Sequence, residues 1–199
     1  MEDHHPEISE DRLFFFERED IEIEDFEAVG FILDIGGGGE GVIGRLKREQ
    51  VVAIDTSKRE LEGAAAGPLK IIMDATDLKF LDATFNTVTS FYTLMYIREI
   101  TAHRQVFSEV YRVLAPGGRF LIWDAIFPQR VSEEQDVAVF SLNVRLEGEE
   151  IDAGYGMLWP EGGRGMSHFV ELVGSAGFKV VLQKEEGQRI FLELKKPLH

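Results

Sequence analysis

The residues best suited to chemistry are a run of glycines at the end of an apolar segment and the acids spaced behind it. Phe31-Ile-Leu-Asp-Ile-Gly-Gly-Gly-Gly-Glu-Gly41 reads as a buried strand that breaks into glycine and resumes as a helix over 41–48. Missing side chains at such a break let a ligand approach backbone amides at the helix start. Asp55 closes the next apolar run, where a carboxylate accepts hydrogen bonds from both hydroxyls of a ribose. Asp74 closes the third, in Ile71-Ile-Met-Asp-Ala-Thr-Asp-Leu78, where a carboxylate receives an adenine amino group while the Ala75 amide meets a ring nitrogen. Each acid alone reads equally well as a turn or cap residue. Three such strand ends at one sheet edge point to a nucleotide-type cofactor.

Gly36, Gly38 and Gly41 also spell G-x-G-x-x-G. That spacing is shared by nicotinamide enzymes, by enzymes with a sulfonium cofactor and by purely structural turns. The acid at Asp74 is less expected of a nicotinamide site.

The elements that must hold these residues alternate from Phe31 onward. Strands are expected over 31–35, 51–55, 69–73, 86–91 and 119–124, and helices over 41–48, 58–66 and 101–114, with Ala115-Pro-Gly-Gly118 as the turn that stops the last helix. Such alternation implies a parallel sheet covered on both faces. Beyond it, 136–146 alternates and 151–159 is aromatic and glycine-containing, which reads as an inserted hairpin or lid around Glu147-Gly-Glu-Glu150. A helix over 167–176 ending at Gly177 and two strands over 178–184 and 189–195 close the chain as an antiparallel hairpin. Before Phe31, Arg12-Leu-Phe-Phe-Phe16 and Ile21-Glu-Ile-Glu24 read as short extended pieces of an acidic appended hairpin or cap, whose phenylalanines must pack on the main body or on a second subunit.

The fold class expected is therefore α/β, a doubly wound, Rossmann-like, mainly parallel sheet closed by an antiparallel C-terminal hairpin. It forms one domain over 1–199: an N-terminal arm (1–30), a cofactor-binding core (31–124), a lid insertion (125–165) and a C-terminal helix and hairpin (166–199).

Bulk chemistry narrows the partners. With no cysteine, disulfides, thiolate metal sites and thiol catalysis are excluded together, and no metal site is expected. A formal net charge of -15 disfavours a nucleic-acid partner, which draws on clustered Lys and Arg. The acidic start, Met1-Glu-Asp-His-His-Pro6, is unlike a signal peptide, and no apolar run is long enough to span a membrane, so a cytoplasmic location is expected.

In order and spacing, five segments resemble the class I S-adenosylmethionine-dependent methyltransferases of the small, generic methyltransferase-domain type. They are Leu33-Asp-Ile-Gly-Gly-Gly-Gly-Glu-Gly41, Val52-Ala-Ile-Asp55, Met73-Asp-Ala-Thr-Asp-Leu78, Phe85-Asn-Thr-Val-Thr-Ser90 and Val110-Tyr-Arg-Val-Leu-Ala-Pro-Gly-Gly-Arg-Phe120. Two departures stand out: the chain has one more residue between Gly38 and Gly41 than the family pattern, and Asn86 stands where the family usually has Asp. The resemblance fades after Asp124. It implies S-adenosylmethionine as cofactor. The holding residues it implies are Asp34, Gly36, Gly37, Gly38, Glu40 and Gly41 on the turn, Asp55 and Thr56 after the second strand, Asp74 and Ala75 after the third, and Ser90 on the fourth.

The reaction so implied is an in-line displacement at an activated methyl, in which the protein aligns a nucleophile and excludes water. No residue stands out as the catalytic group. Tyr92, Tyr96 and Asp124, at the carboxyl edge, and His168, beside the lid, are the candidates for positioning an acceptor or taking its proton. Tyr155 and Trp159 would give the lid an aromatic wall, suited to an apolar or cationic acceptor. His103 reads as a solvated helix residue, and His4 and His5 as part of a frayed terminus. The missing cysteine strikes out covalent pyrimidine methylation, and Ser90-Phe-Tyr-Thr93 replaces the Asn-Pro-Pro-aromatic motif of enzymes that methylate amino groups of bases or glutamine. A small-molecule acceptor is expected, a protein less so, with a homodimer through the arm or lid as a further possibility. Two alternatives stand beside this reading. One is a nicotinamide-dependent oxidoreductase, against which none of Tyr92, Tyr96, Tyr111 or Tyr155 has a lysine four residues on. The other is a non-catalytic cofactor-binding or assembly protein on the same fold.

Overall fold

Short, mostly apolar runs bracketed by turns make the central strands. In the computed structural model, which describes residues 9–130 and 132–198, they run β3 (Ile32–Ile35), β4 (Val51–Asp55), β5 (Leu69–Ile72), β6 (Phe85–Phe91) and β7 (Leu114–Ala125). They are preceded by β1 (Leu13–Phe15) and β2 (Glu19–Glu22) and followed by β8 (Val137–Leu146), β9 (Glu149–Leu158), β10 (Lys179–Glu186) and β11 (Arg189–Lys195). The helices are α1 (Val42–Lys47), α2 (Lys58–Gly63), α3 (Ile100–Val113) and α4 (Met166–Ala176). The expected His4 and His5 lie outside the described residues.

One sheet has the order β5-β4-β3-β6-β7-β11-β10. Its strands are parallel from β5 to β7, and β11 runs antiparallel to both β7 and β10. The period-two pattern divides its side chains between two cores. Leu33, Ile35, Val52 and Ile54 face one way, against Val106, Phe107 and Val110 of α3 and Phe169, Leu172 and Val173 of α4. Ile32, Val51 and Ala53 face the other, against Val42 and Ile43 of α1.

On that second face the covering layer is largely a sheet. β8 and β9 form a hairpin about a two-residue Glu147–Gly148 turn, with Gly148 at a φ of 79°. β1 and β2 each pair parallel with β8, β1 along Val137–Val139 and β2 along Leu142–Arg145. Because β9 pairs along the whole of β8, the two short strands share its opposite edge. The arm is thus not the hairpin expected from sequence: its strands pair with residues more than a hundred positions away. Phe14 and Phe16 turn inward, Phe16 stacking on Phe140 at 4.7 Å and both lying 5.4 Å from Trp159, whereas Phe15 faces out. A paired guanidinium–carboxylate contact, Arg12 Nε and Nη2 to Asp136 at 2.8 Å each, ties the arm down.

Ala115–Gly118 also departs from expectation. α3 stops at Val113 and the chain enters β7 at once, with the four residues bulging out while β6 advances only from Phe85 to Thr87. Gly117 takes a φ of 79°, and its amide donates to Lys196 O at 3.0 Å. Among the described residues no helix is long and apolar enough to cross a membrane.

Candidate cofactor and acceptor site

The glycine turn leaves β3 by crossing onto β4. The amides of Gly36 and Gly37 both donate to Ile54 O, at 2.8 and 3.0 Å, and that of Gly39 to Glu60 O at 3.0 Å. The Gly41 amide donates to Gly38 O at 3.0 Å, and Gly41 caps α1 in the left-handed region, at a φ of 56°. The amides of Gly38 and Glu40 make no such bond among the described residues and are free to meet an anion. A side chain at Gly38 would have no room: its Cβ would lie 2.6 Å from Glu60 Cβ and 2.8 Å from Asp55 Oδ2.

This turn floors a cavity of about 840 Å³ at the carboxyl ends of the parallel strands, within the size range of sites that take cofactors and small ligands. Asp34, the glycine run from Gly36 to Gly41, Asp55, Thr56, Asp74 and Ala75 all line it. Of the cofactor residues expected from sequence, only Ser90 does not. Its register partners Ile35 and Ile122 face the α3–α4 core, and its hydroxyl is buried there with no hydrogen-bond partner.

The acids divide by burial. Asp34 is enclosed; burial pushes its carboxyl up to about 7, against the stabilising bond from Thr89 Oγ1 at 2.7 Å. Asp55 uses Oδ1 to accept from the Ser57 amide at 2.8 Å, and Asp74 uses Oδ1 to accept from the amide and hydroxyl of Thr76, both at 2.8 Å. Each is a turn cap through one oxygen and keeps the other for a ligand. With Glu40 and Glu60 also in the lining, the field of the cavity is that of an acidic cleft and favours a cation.

The opposite wall is aromatic. Phe91 ends β6 and Tyr92 and Tyr96 follow it, and Gly154-Tyr155-Gly156 of β9 line the same wall. The rings of Tyr92 and Tyr155 stack at 5.1 Å with 17° between planes. Burial, and after it the nearby Glu40 carboxylate, raises the pKa of the Tyr155 hydroxyl. Burial pushes the partly exposed Tyr96 up to about 12. Tyr92 is held at a φ of 48°, a backbone state costly for a bulky residue and frequent at functional sites.

The remaining candidates lie elsewhere. Asp124 is fully buried and outside the lining; it accepts from the amides of Met95 at 3.3 Å and Ala125 at 2.8 Å, and burial pushes it up to about 7. It cannot take a proton from an acceptor in the cavity. His168 also lies off the lining, its Nε2 3.4 Å from His103 Nδ1. His103 is not solvated but buried, donating from Nε2 to Leu94 O at 2.9 Å, and burial lowers it to about 4. Trp159 packs under Phe14 and Phe16 and donates to Pro128 O at 2.9 Å, so it is no part of the cavity wall. Glu60 and the glycines flanking Tyr155 were not anticipated. The Gly-Tyr-Gly alternation is the one signal that marked them, since bare positions on a strand allow close approach.

A sheet of this order, reversed only at β11, with a glycine-floored acidic cavity at its carboxyl edge, has the fold of class I S-adenosylmethionine-dependent methyltransferases. Residues 33–122 match the family model described as a methyltransferase domain. Over 88 residues the chain is 36% identical to demethylmenaquinone methyltransferase of Symbiobacterium thermophilum, covering 40% of this chain and 34% of that protein. Over 110 residues it is 34% identical to the ubiquinone/menaquinone biosynthesis C-methyltransferase UbiE of Desulfotalea psychrophila, covering 51% and 44%. The chain thus spans less than half the length of these relatives. In fold it is similar to a SAM-dependent methyltransferase from Methanosarcina mazei, with a TM-score of 0.62, 16% identity, and coverage of 87% of this chain and 95% of that one. The oxidoreductase alternative draws no support from these matches.

Proposed function

We propose that the protein transfers a methyl group from S-adenosylmethionine to a small-molecule acceptor bound against the aromatic wall. The observation that carries this reading is the single cavity in which an acidic, glycine-floored half faces Tyr92, Tyr96 and Tyr155. The bound cofactor supplies an electrophilic methyl on a cationic sulfonium. The free amides of Gly38 and Glu40 receive its carboxylate, Asp55 its ribose hydroxyls, and Asp74 with Ala75 its adenine. The surrounding carboxylates favour its positive charge.

On the acceptor side the aromatic rings exclude water and stack on a planar or apolar group, leaving the nucleophile in line with the methyl. The relatives named for quinone methylation agree with such an acceptor. The Glu40–Tyr155 pair is the polar feature nearest that wall. Ser90, Asp124 and His168 do not line the cavity and touch neither substrate in this scheme. A cytoplasmic location and solution as a monomer or a homodimer touching through Phe15 of the arm complete the proposal, and light scattering of the purified chain reads the last point.

Methyl transfer from labelled S-adenosylmethionine to a short-chain demethylmenaquinol, and to a metabolite extract, tests it. Labelled product from either, lost in the Gly38→Val variant, supports the reading. Binding of NADH with no response to S-adenosylmethionine would return the oxidoreductase, and cofactor binding without product from any acceptor would favour the non-catalytic alternative.

A further inference from the structure

The segment that follows Tyr92 is gripped along its backbone by buried polar groups that do not themselves line the cavity. Leu94–Tyr96 forms one 3-10 turn. At its start, Asp124 at the end of β7 accepts from the Met95 amide at 3.3 Å. Along the turn and just past it, the guanidinium of Arg164 donates from Nη1 to Leu94 O and Met95 O, both at 3.3 Å, and from Nη2 to Ile97 O at 2.9 Å. Arg164 is only 5% exposed. Its backbone closes the stem of the 128–163 insertion through paired bonds with Phe127, 2.8 and 2.7 Å long. A planar fork that reaches three carbonyls is a fixed support; a lysine's three donors radiate from one flexible point and do not reproduce its span.

We propose that Asp124 and Arg164 are positioning residues for the acceptor wall, clamping the Leu94–Tyr96 turn so that the stem of the insertion sets where Tyr92, Thr93 and Tyr96 stand in the cavity. The proposal rests on the methyltransferase reading for what the wall does, and on the geometry alone for the clamp. Neither residue itself lines the cavity, so their effect must pass through the backbone they hold, at Leu94, Met95 and Ile97. The Thr93 side chain stands where a Cβ on Gly36 would fall, 2.1 Å from its Oγ1, so the bare glycine is what lets the clamped wall come this close to the cofactor half.

The test compares Arg164→Lys, Arg164→Met and Asp124→Asn with wild type by amide hydrogen exchange, calorimetry with S-adenosylhomocysteine, and methyl transfer to a short-chain demethylmenaquinol. Both Arg164 variants should raise exchange over residues 93–97 by roughly tenfold or more while residues 36–41 stay as in wild type. They should leave the S-adenosylhomocysteine Kd within about twofold and lower kcat by roughly tenfold at an unchanged KM for S-adenosylmethionine. Asp124→Asn, which keeps an oxygen acceptor, should change the same residues less. Unaltered exchange over 93–97, or exchange and Kd changing together at both turns, would overturn the clamp. Should the wild type fail to bind S-adenosylhomocysteine, the functional reading falls, and the exchange data still decide the clamp. If Arg164→Met does not fold, the other two variants decide it.

Discussion

The parallel strands β3 to β6 and the small sheet of β1, β2, β8 and β9 reach the same cavity from two sides and bring different kinds of group. The parallel strands offer backbone amides and single carboxylate oxygens at their ends, with positions set by the glycine turn and by the caps at Ser57 and Thr76. The small sheet offers one ring, Tyr155, between two glycines, and otherwise turns its side chains into a second core. One side is built to recognise a fixed ligand through many short hydrogen bonds. The other presents shape and apolar surface, which admits different acceptors on an unchanged cofactor half.

If the two regions are separable in this way, damage to one should leave the other working. The largest effect is expected from Phe140→Ala, which empties a buried site stacked on Phe16. It should lower unfolding free energy by about 3–5 kcal/mol in denaturant titration, while residual folded protein keeps its affinity for S-adenosylhomocysteine. Loss of cofactor affinity in the folded fraction would show that the two regions are not separable. Next is Gly38→Val, whose added atoms collide with Glu60 and Asp55. Calorimetry should show cofactor affinity falling by roughly a hundredfold or more, from clash and blocked amides together.

The buried Asp34 gives a smaller, pH-dependent effect. Its carboxyl is raised in the folded chain to about 7 from an ordinary 3.8. The folded state therefore holds a proton that the unfolded state releases, so this contribution is fully present below about pH 4 and is lost as pH rises through about 7. Asp34→Asn should flatten the fall in melting temperature across that interval; an unchanged slope would mean that Asp34 is ionised in the fold. Smallest is Tyr155→Phe, which removes the one hydroxyl that the small sheet brings to the cavity. Methyl transfer should fall by about fivefold to tenfold if that hydroxyl orients the acceptor, with cofactor Kd unmoved; a weakened Kd would assign Tyr155 to the cofactor half.

The same division governs what the sequence discloses. β3, β4 and β6 are buried on both faces and read as apolar runs ending in glycine or acid, so their order and the cavity floor follow from local pattern. The hairpin of β8 and β9 is also visible in its alternation. Its docking is not, because parallel pairing of Leu13–Phe15 with Val137–Val139 leaves no local trace in either segment. Asp124 and Ser90 show a second limit. Both stand near the right edge in the chain, but Met95 and Ala125 amides hold the first, and period-two alternation turns the second toward α3 and α4. His103 was legible after all: it falls on the stripe of Val106, Phe107 and Val110, the buried face of α3.

The most direct test of the account is a calorimetric titration of S-adenosylhomocysteine into the wild-type protein and into Asp55→Ala. The account predicts saturable one-to-one binding to the wild type and a weakening of roughly a hundredfold in the variant, the loss of a charge-assisted bond to the ribose hydroxyls, with the melting temperature lowered only by the loss of the Ser57 turn cap. No heat of binding in the wild type, or equal affinity in the two proteins, would contradict it.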